Sequence, residues 1–141
     1  MAFLFDTDAI SELLRPQPLK RYVQWLQALP RDEQFTSAVV IGELYKGAYR
    51  SPARVRHLNN IKERILPAIT VLPYDVATAQ VYGQIRAELE VAGQMLADAD
   101  LQIAATALYH NLELVTGNLR HFERIDRLRI NSILSQARQS Q

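Results

Sequence analysis

Asp98-Ala99-Asp100-Leu101-Gln102-Ile103-Ala104-Ala105-Thr106-Ala107-Leu108 is the stretch that decides how the chain is read. Leu101, Ile103, Ala104, Ala107 and Leu108 recur at helical spacing without a breaker, so the stretch is predicted to be a helix. Gln102 and Thr106 are the only polar side chains between Asp100 and Tyr109. A helix apolar almost all round is packed over most of its circumference, and its alanines let it come close to a sheet. Two carboxylates stand at its entrance, where unpaired N–H groups and the positive end of the helix dipole favour negative charge. Asp98 is expected to be the N-cap, and Asp100 to lie in the first turn, free to project from the helix end.

Outward from this helix, 141 residues are about one domain's length, and 48% hydrophobic content supplies a sizeable core. No linker, repeat or low-complexity tract divides the chain, so a single domain over residues 1–141 is expected. The absence of cysteine rules out a disulfide framework and a thiolate metal site, and the first residues lack the pattern of a signal peptide. No apolar run approaches the roughly eighteen residues of a membrane span, so a cytoplasmic protein without a membrane partner is expected. A net charge of +1 argues neither for nor against a polyanionic partner. Locally, six Lys or Arg stand against one Glu from Lys46 to Arg64, and five Arg against two acids after Gly117. Charge of this density is also what an ordinary solvated helix face carries.

Ala2-Phe3-Leu4-Phe5 suits a strand buried on both faces and stopping at Asp6. Thr7 or Asp8 can cap a helix with Ile10, Leu13 and Leu14 as its stripe, ended by Pro16 and Pro18. A second helix is expected from about Leu19 to Leu29, then a strand at Gln34-Phe35-Thr36 and a third helix capped by Ser37. Glu43 lies among the apolar residues of that helix. A fourth helix from about Pro52 to Leu66 carries Val55, Leu58, Ile61 and Ile65. Ile69 to Leu72 is a third strand, Asp75 starts a fifth helix that ends near Gly93, Leu112 to Thr116 is a fourth strand, and Leu128 to Ile130 a short fifth. Strands alternating with helices predict a parallel sheet covered on both faces.

In such a sheet ligands bind beyond the carboxyl ends of the strands, where the strand order reverses. Asp6 and Asn118 fall at such ends, and Asp100 and Glu43 can reach the same crevice from neighbouring helices. Carboxylates gathered there repel by about 4 kcal/mol per pair at about 4 Å and an effective dielectric of about 20. A hard divalent cation offsets that repulsion, and acids without His or Cys suit Mg²⁺ or Mn²⁺ rather than Zn²⁺. Such an ion can polarise a phosphodiester and generate hydroxide from bound water. Singly, each acid has a plainer role: Asp6 as a turn residue, Glu43 as partner of Lys46 or Lys62. No nucleophile elbow, phosphate loop or dinucleotide fingerprint occurs, and His57, His110 and His121 lack metal-ligand spacing.

Four ordered motifs, Phe5-Asp6-Thr7-Asp8-Ala9-Ile10-Ser11-Glu12-Leu13, Ile41-Gly42-Glu43-Leu44-Tyr45-Lys46-Gly47, Asp100 to Ala107, and Val115-Thr116-Gly117-Asn118-Leu119-Arg120-His121-Phe122, resemble the PIN-domain family, most closely its VapC-type toxins. The resemblance covers nearly the whole chain. It implies a three-layer α/β/α sandwich with a short, mainly parallel central sheet. It also implies a Mg²⁺- or Mn²⁺-dependent endoribonuclease, the toxin of a type II toxin-antitoxin system, inhibited by a cognate antitoxin and acting on RNA. A homodimer or a toxin-antitoxin hetero-oligomer goes with it. By motif, Asp6, Glu43 and Asp100 match the family's acids as metal ligands, and Asn118 occupies its more variable fourth position. These four are the candidate catalytic residues. Arg120 and Arg124 are candidates for holding the RNA backbone. Asp8 stands where the family often has Asn, Gly117 where it often has a basic or amide residue, and His121 where it often has Asp. The competing reading is a non-catalytic PIN-like module that binds RNA or protein and whose acids are structural.

Overall fold

A computed structural model describes residues 1–140 of the chain. Five parallel strands form one sheet: β1 (Phe3–Phe5), β2 (Gln34–Ser37), β3 (Thr70–Leu72), β4 (Glu113–Val115) and β5 (Ile130–Asn131), in the order β3-β2-β1-β4-β5. All three residues of β1 are buried, which requires cover on both faces of the central strand. That cover comes from α1 (Thr7–Leu13), α2 (Lys20–Gln27), α3 (Ala38–Arg50), α4 (Arg54–Asn60), α5 (Val76–Ala92), α6 (Asp98–Tyr109), α7 (Leu119–Phe122) and α8 (Ile133–Gln139). The three-layer α/β/α expectation therefore holds, with the sheet parallel throughout.

The pivotal helix α6 buries Leu101, Ile103, Ala104, Ala105 and Ala107, and its Thr106 hydroxyl is satisfied by donating to the Gln102 carbonyl at 2.9 Å. Its most extensive partner is α5, and α3 packs on it from another side. Ser37 caps α3 by accepting from Val40 N–H at 3.1 Å, and Asp75 caps α5 by accepting from Thr78 N–H at 3.0 Å, both as expected. Gly93 closes α5 in the left-handed region at φ 68°, which lets Gln94 N–H reach the Leu89 carbonyl at 2.9 Å. On α2, Tyr22 is fully buried and donates to the Ala9 carbonyl at 2.8 Å, while Trp25 packs edge-on against Phe3 with ring centres 5.3 Å apart.

Three expectations needed correction. The helix predicted from Pro52 to Leu66 is α4 followed by a π turn at Ile61–Ile65 and a 3₁₀ turn at Leu66–Ala68. Val55, expected in its apolar stripe, is 71% exposed, whereas Ile61 and Ile65 of the same stripe are buried as expected. The last strand lies at Ile130–Asn131, shifted toward the C-terminus from Leu128–Ile130. Helix α8, which buries Leu134 and Ala137 and packs against α2, was not anticipated.

Candidate active site

The strand order reverses between β1 and β4, and the candidate acids gather beyond the carboxyl ends of this pair. The chain leaves β1 through Asp6, whose N–H still donates to the Val115 carbonyl of β4 at 3.1 Å. The Asp6 carboxylate accepts from Ala9 N–H at 2.8 Å, so Asp6 itself caps α1, the role expected of Thr7 or Asp8. Thr7 is thereby free to donate its hydroxyl to Glu43 Oε1. No ion pair joins Glu43 to Lys46 or Lys62; the half-buried carboxylate takes its partner from α1 instead.

Only 5% of Asp6 is exposed, and burial pushes its carboxyl up to about 7. The Thr116 hydroxyl and the Ala9 N–H pull the other way, while the charges of Asp8 and Asp100 add to the rise. Asp100, half-buried on the first turn of α6, is also raised, first by burial and then by the charge of Glu43. His121, with Nδ1 3.9 Å from Asp100 Oδ2, opposes that rise. Asp6, Asp100 and Glu43 are thus linked electrostatically in that order, across β1, α6 and α3. Asn118 lies at the start of α7 with an exposed side chain that makes no hydrogen bond among the described residues. Its N–H donates to Thr116 Oγ1 at 2.9 Å, which ties its backbone to the residue beside Asp6.

Two other sequence expectations change. Asp98 does not cap α6: the cap position is Ala97, and the Asp98 carboxylate accepts from Arg86 and, at 2.7 Å, from the Tyr82 hydroxyl, both on α5. Arg124 is engaged with the Met95 carbonyl at 2.9 Å, bracing the connection between α5 and α6, whereas exposed Arg120 has no such partner among the described residues.

Sequence reading also missed a tie beside the acids. Arg138 of α8 donates to both oxygens of Asp8, at 2.8 Å each, and to Glu12 at 3.4 Å. Glu12 is fully buried and accepts from Leu19 N–H as well, so its charge is compensated. A Cβ at Gly117 would collide with the Arg138 guanidinium and the Asp8 carboxylate. The guanidinium therefore fills space that a side chain at position 117 would need. In the family resemblance this position often carries a basic or amide group; here α8 supplies one, and it neutralises the acid that stands where Asn is common. Separation by 130 positions left no local pattern from which to read the pair.

Among the described residues no three carboxylate or imidazole groups converge closely enough to hold one ion between them. The donor set nevertheless fits a hard divalent cation. It is all oxygen, Mg²⁺ is typically held by one or two protein carboxylates with waters completing its shell, and Asp6, raised chiefly by burial and further by the charges of Asp8 and Asp100, is a group a cation would relieve.

Fold and site together define an α/β protein with an acidic crevice at the switch point of a parallel sheet. The chain belongs to the PIN-domain family, whose model matches residues 3–128. Toxin FitB of Neisseria gonorrhoeae is 38% identical over 125 residues, covering 84% of this chain and 89% of that protein. The tRNA(fMet)-specific endonuclease VapC of Shigella flexneri is 36% identical over 129 residues, covering 92% of this chain and 96% of that one. The crystal structure of VapBC2 from Rickettsia felis bound to a DNA fragment from their promoter superposes with a TM-score of 0.86 at 26% identity, covering 93% of this chain and 98% of its counterpart.

Proposed function

We propose that the chain is a divalent-metal-dependent endoribonuclease, the toxin of a type II toxin-antitoxin pair, acting as one unit over its 141 residues. The observation that carries this reading is the placement of Asp6 at the end of β1, Asp100 on the first turn of α6 and Glu43 on α3 about the sheet's switch point. Relatives named toxin and endonuclease support it. Asp6 and Asp100 are the proposed direct ligands of Mg²⁺ or Mn²⁺, with Glu43 as a further ligand or as the group that orients and deprotonates the attacking water. A bound ion would supply charge to polarise the phosphodiester and stabilise the leaving oxygen. Thr7 fixes one oxygen of Glu43 and leaves the other for water. Asn118, exposed and without a side-chain partner, is suited to hydrogen-bond a phosphate oxygen. The proposed partners are a cognate antitoxin and RNA, and the proposed place of action is the cytoplasm. No helix among the described residues is long and apolar enough to cross a membrane.

Cleavage of RNA by the purified protein tests the reading. Activity is expected with Mg²⁺ or Mn²⁺ and not with chelator. Asp100→Asn should remove it with the fold intact, while Asp98→Asn should keep most of it, since Asp98 serves the α5–α6 contact. Expression of the intact chain should arrest growth, and co-expression of the adjacent small reading frame should relieve the arrest. Folded protein that binds RNA but never cleaves it would return the chain to the non-catalytic reading.

A further inference from the structure

Beside the acids opens a second cleft of about 860 Å³ that takes in Thr7 and Glu43 and continues along α4 and the π turn past Arg56, His57, Asn60 and Arg64. We propose that this cleft carries the RNA strand on one side of the scissile bond, with Arg56 and Arg64 as its phosphate contacts. The inference rests on the ribonuclease reading and gives it a strand path.

Local structure explains how the cleft wall is made. Arg56, Asn60 and Arg64 are spaced four apart, a spacing that drifts around a straight α-helix because four residues exceed one turn of 3.6. The wider π turn at Ile61–Ile65 takes back that drift, so the three side chains share one wall while Ile61 and Ile65 stay in the core. Insertions of this kind recur at functional sites.

Charge argues for the occupant. An acidic centre repels the phosphodiester it must cleave, so cations beside it have to hold the backbone. Of the two arginines proposed from sequence for that task, Arg124 is bound to the Met95 carbonyl. In the cleft, Arg15 is compensated by Glu12 at 3.3 Å. Arg56 is exposed and has no hydrogen-bond or ion-pair partner among the described residues. Arg64 donates only to the Leu13 carbonyl at 3.3 Å, which holds it against α1 without cancelling its charge. Two uncompensated guanidinium groups therefore face a single acid, Glu43, and the cleft's volume lies within the roughly 300–1,000 Å³ of sites that hold organic ligands rather than lone ions.

Binding of a fluorescein-labelled oligouridylate to the full-length Asp100→Asn protein, measured against KCl concentration, tests the proposal. Arg56→Gln and Arg64→Gln should each weaken binding several-fold and reduce the slope of log Kd on log salt by about 0.7, the value for one phosphate contact on a single strand. Arg56→Lys should restore the slope, and Arg50→Gln, outside the cleft, should leave it unchanged. Matched melting curves exclude unfolding, for which Arg56, without partners, is the cleaner site. If the double variant binds RNA with the parent's affinity and slope, the cleft is not the strand path, although the nuclease reading stands. If it keeps RNA binding but loses the antitoxin, the cleft belongs to the protein partner and the proposal fails. If the Asp100→Asn parent binds no RNA and the unsubstituted chain cleaves none, the nuclease reading falls, and the strand path with it.

Discussion

Asp6 does two jobs with one side chain, capping α1 and standing at the acidic centre, and its burial there makes the charge costly. Its carboxyl is pushed from an ordinary value of 3.8 up to about 7. Ionising it therefore costs the folded protein something it does not cost the unfolded chain. With the folded value above the unfolded one, the cost is absent below about pH 4, grows as pH rises toward 7, and is constant above that. At about 1.4 kcal/mol per pH unit it reaches several kcal/mol at most. Asn caps a helix as well as Asp does and carries no charge. In the absence of divalent ions, Asp6→Asn should therefore be more stable than the parent above pH 7, with the gap closing toward pH 4. Urea midpoints of the two proteins across that range check this, and a gap independent of pH would show that burial does not burden Asp6.

Among the elements, α1, α8 and the turn after β4 behave as one device because Arg138 and Asp8 meet where Gly117 has no side chain. Gly117→Ala should push the ion pair apart and cost about 1–3 kcal/mol, the usual range for overpacking. Combined with Arg138→Ala, which removes one of the two colliding groups and frees the Asp8 carboxylate to turn away, the substitution should cost less than the sum; a double-mutant cycle read by denaturant unfolding gives the coupling. The pair also marks where the sequence stops being legible. Helix α6 could be read because its apolar residues repeat locally, and Asp6, Glu43 and Asp100 because they sit in compact motifs. The partners of Asp98 and Asp8 could not, since Arg86 and Arg138 lie on other helices and only folding brings them near. Helix α8 escaped notice for a related reason: it buries only Leu134 and Ala137 among polar neighbours. The π turn was hidden because Ile61 and Ile65 are four apart, a spacing that an α-helix also satisfies.

For the whole molecule, the sheet order puts the acids beyond one pair of strands and the arginine-lined cleft to one side of them, so the proposed strand path runs off the centre in a definite direction. Val71 on edge strand β3 and Val76 at the start of α5, the latter 87% exposed, lie uncovered. We propose that the homodimer implied by the family resemblance forms through the helices around Leu58 to Leu66 and Val76 to Leu89, the second of which leaves Val76 exposed. Light scattering should give twice the 16.1 kDa chain mass, and Val76→Glu should return it to one; a monomer at micromolar concentration removes the dimer. Order of synthesis adds a consequence to the tie between Asp8 and Arg138. Asp6, Asp8, Glu43 and Asp100 have all been translated before Arg138 is added, so a growing chain carries these four acids with Asp8 still without its guanidinium partner. The centre is electrostatically finished only on a chain whose translation has passed residue 138.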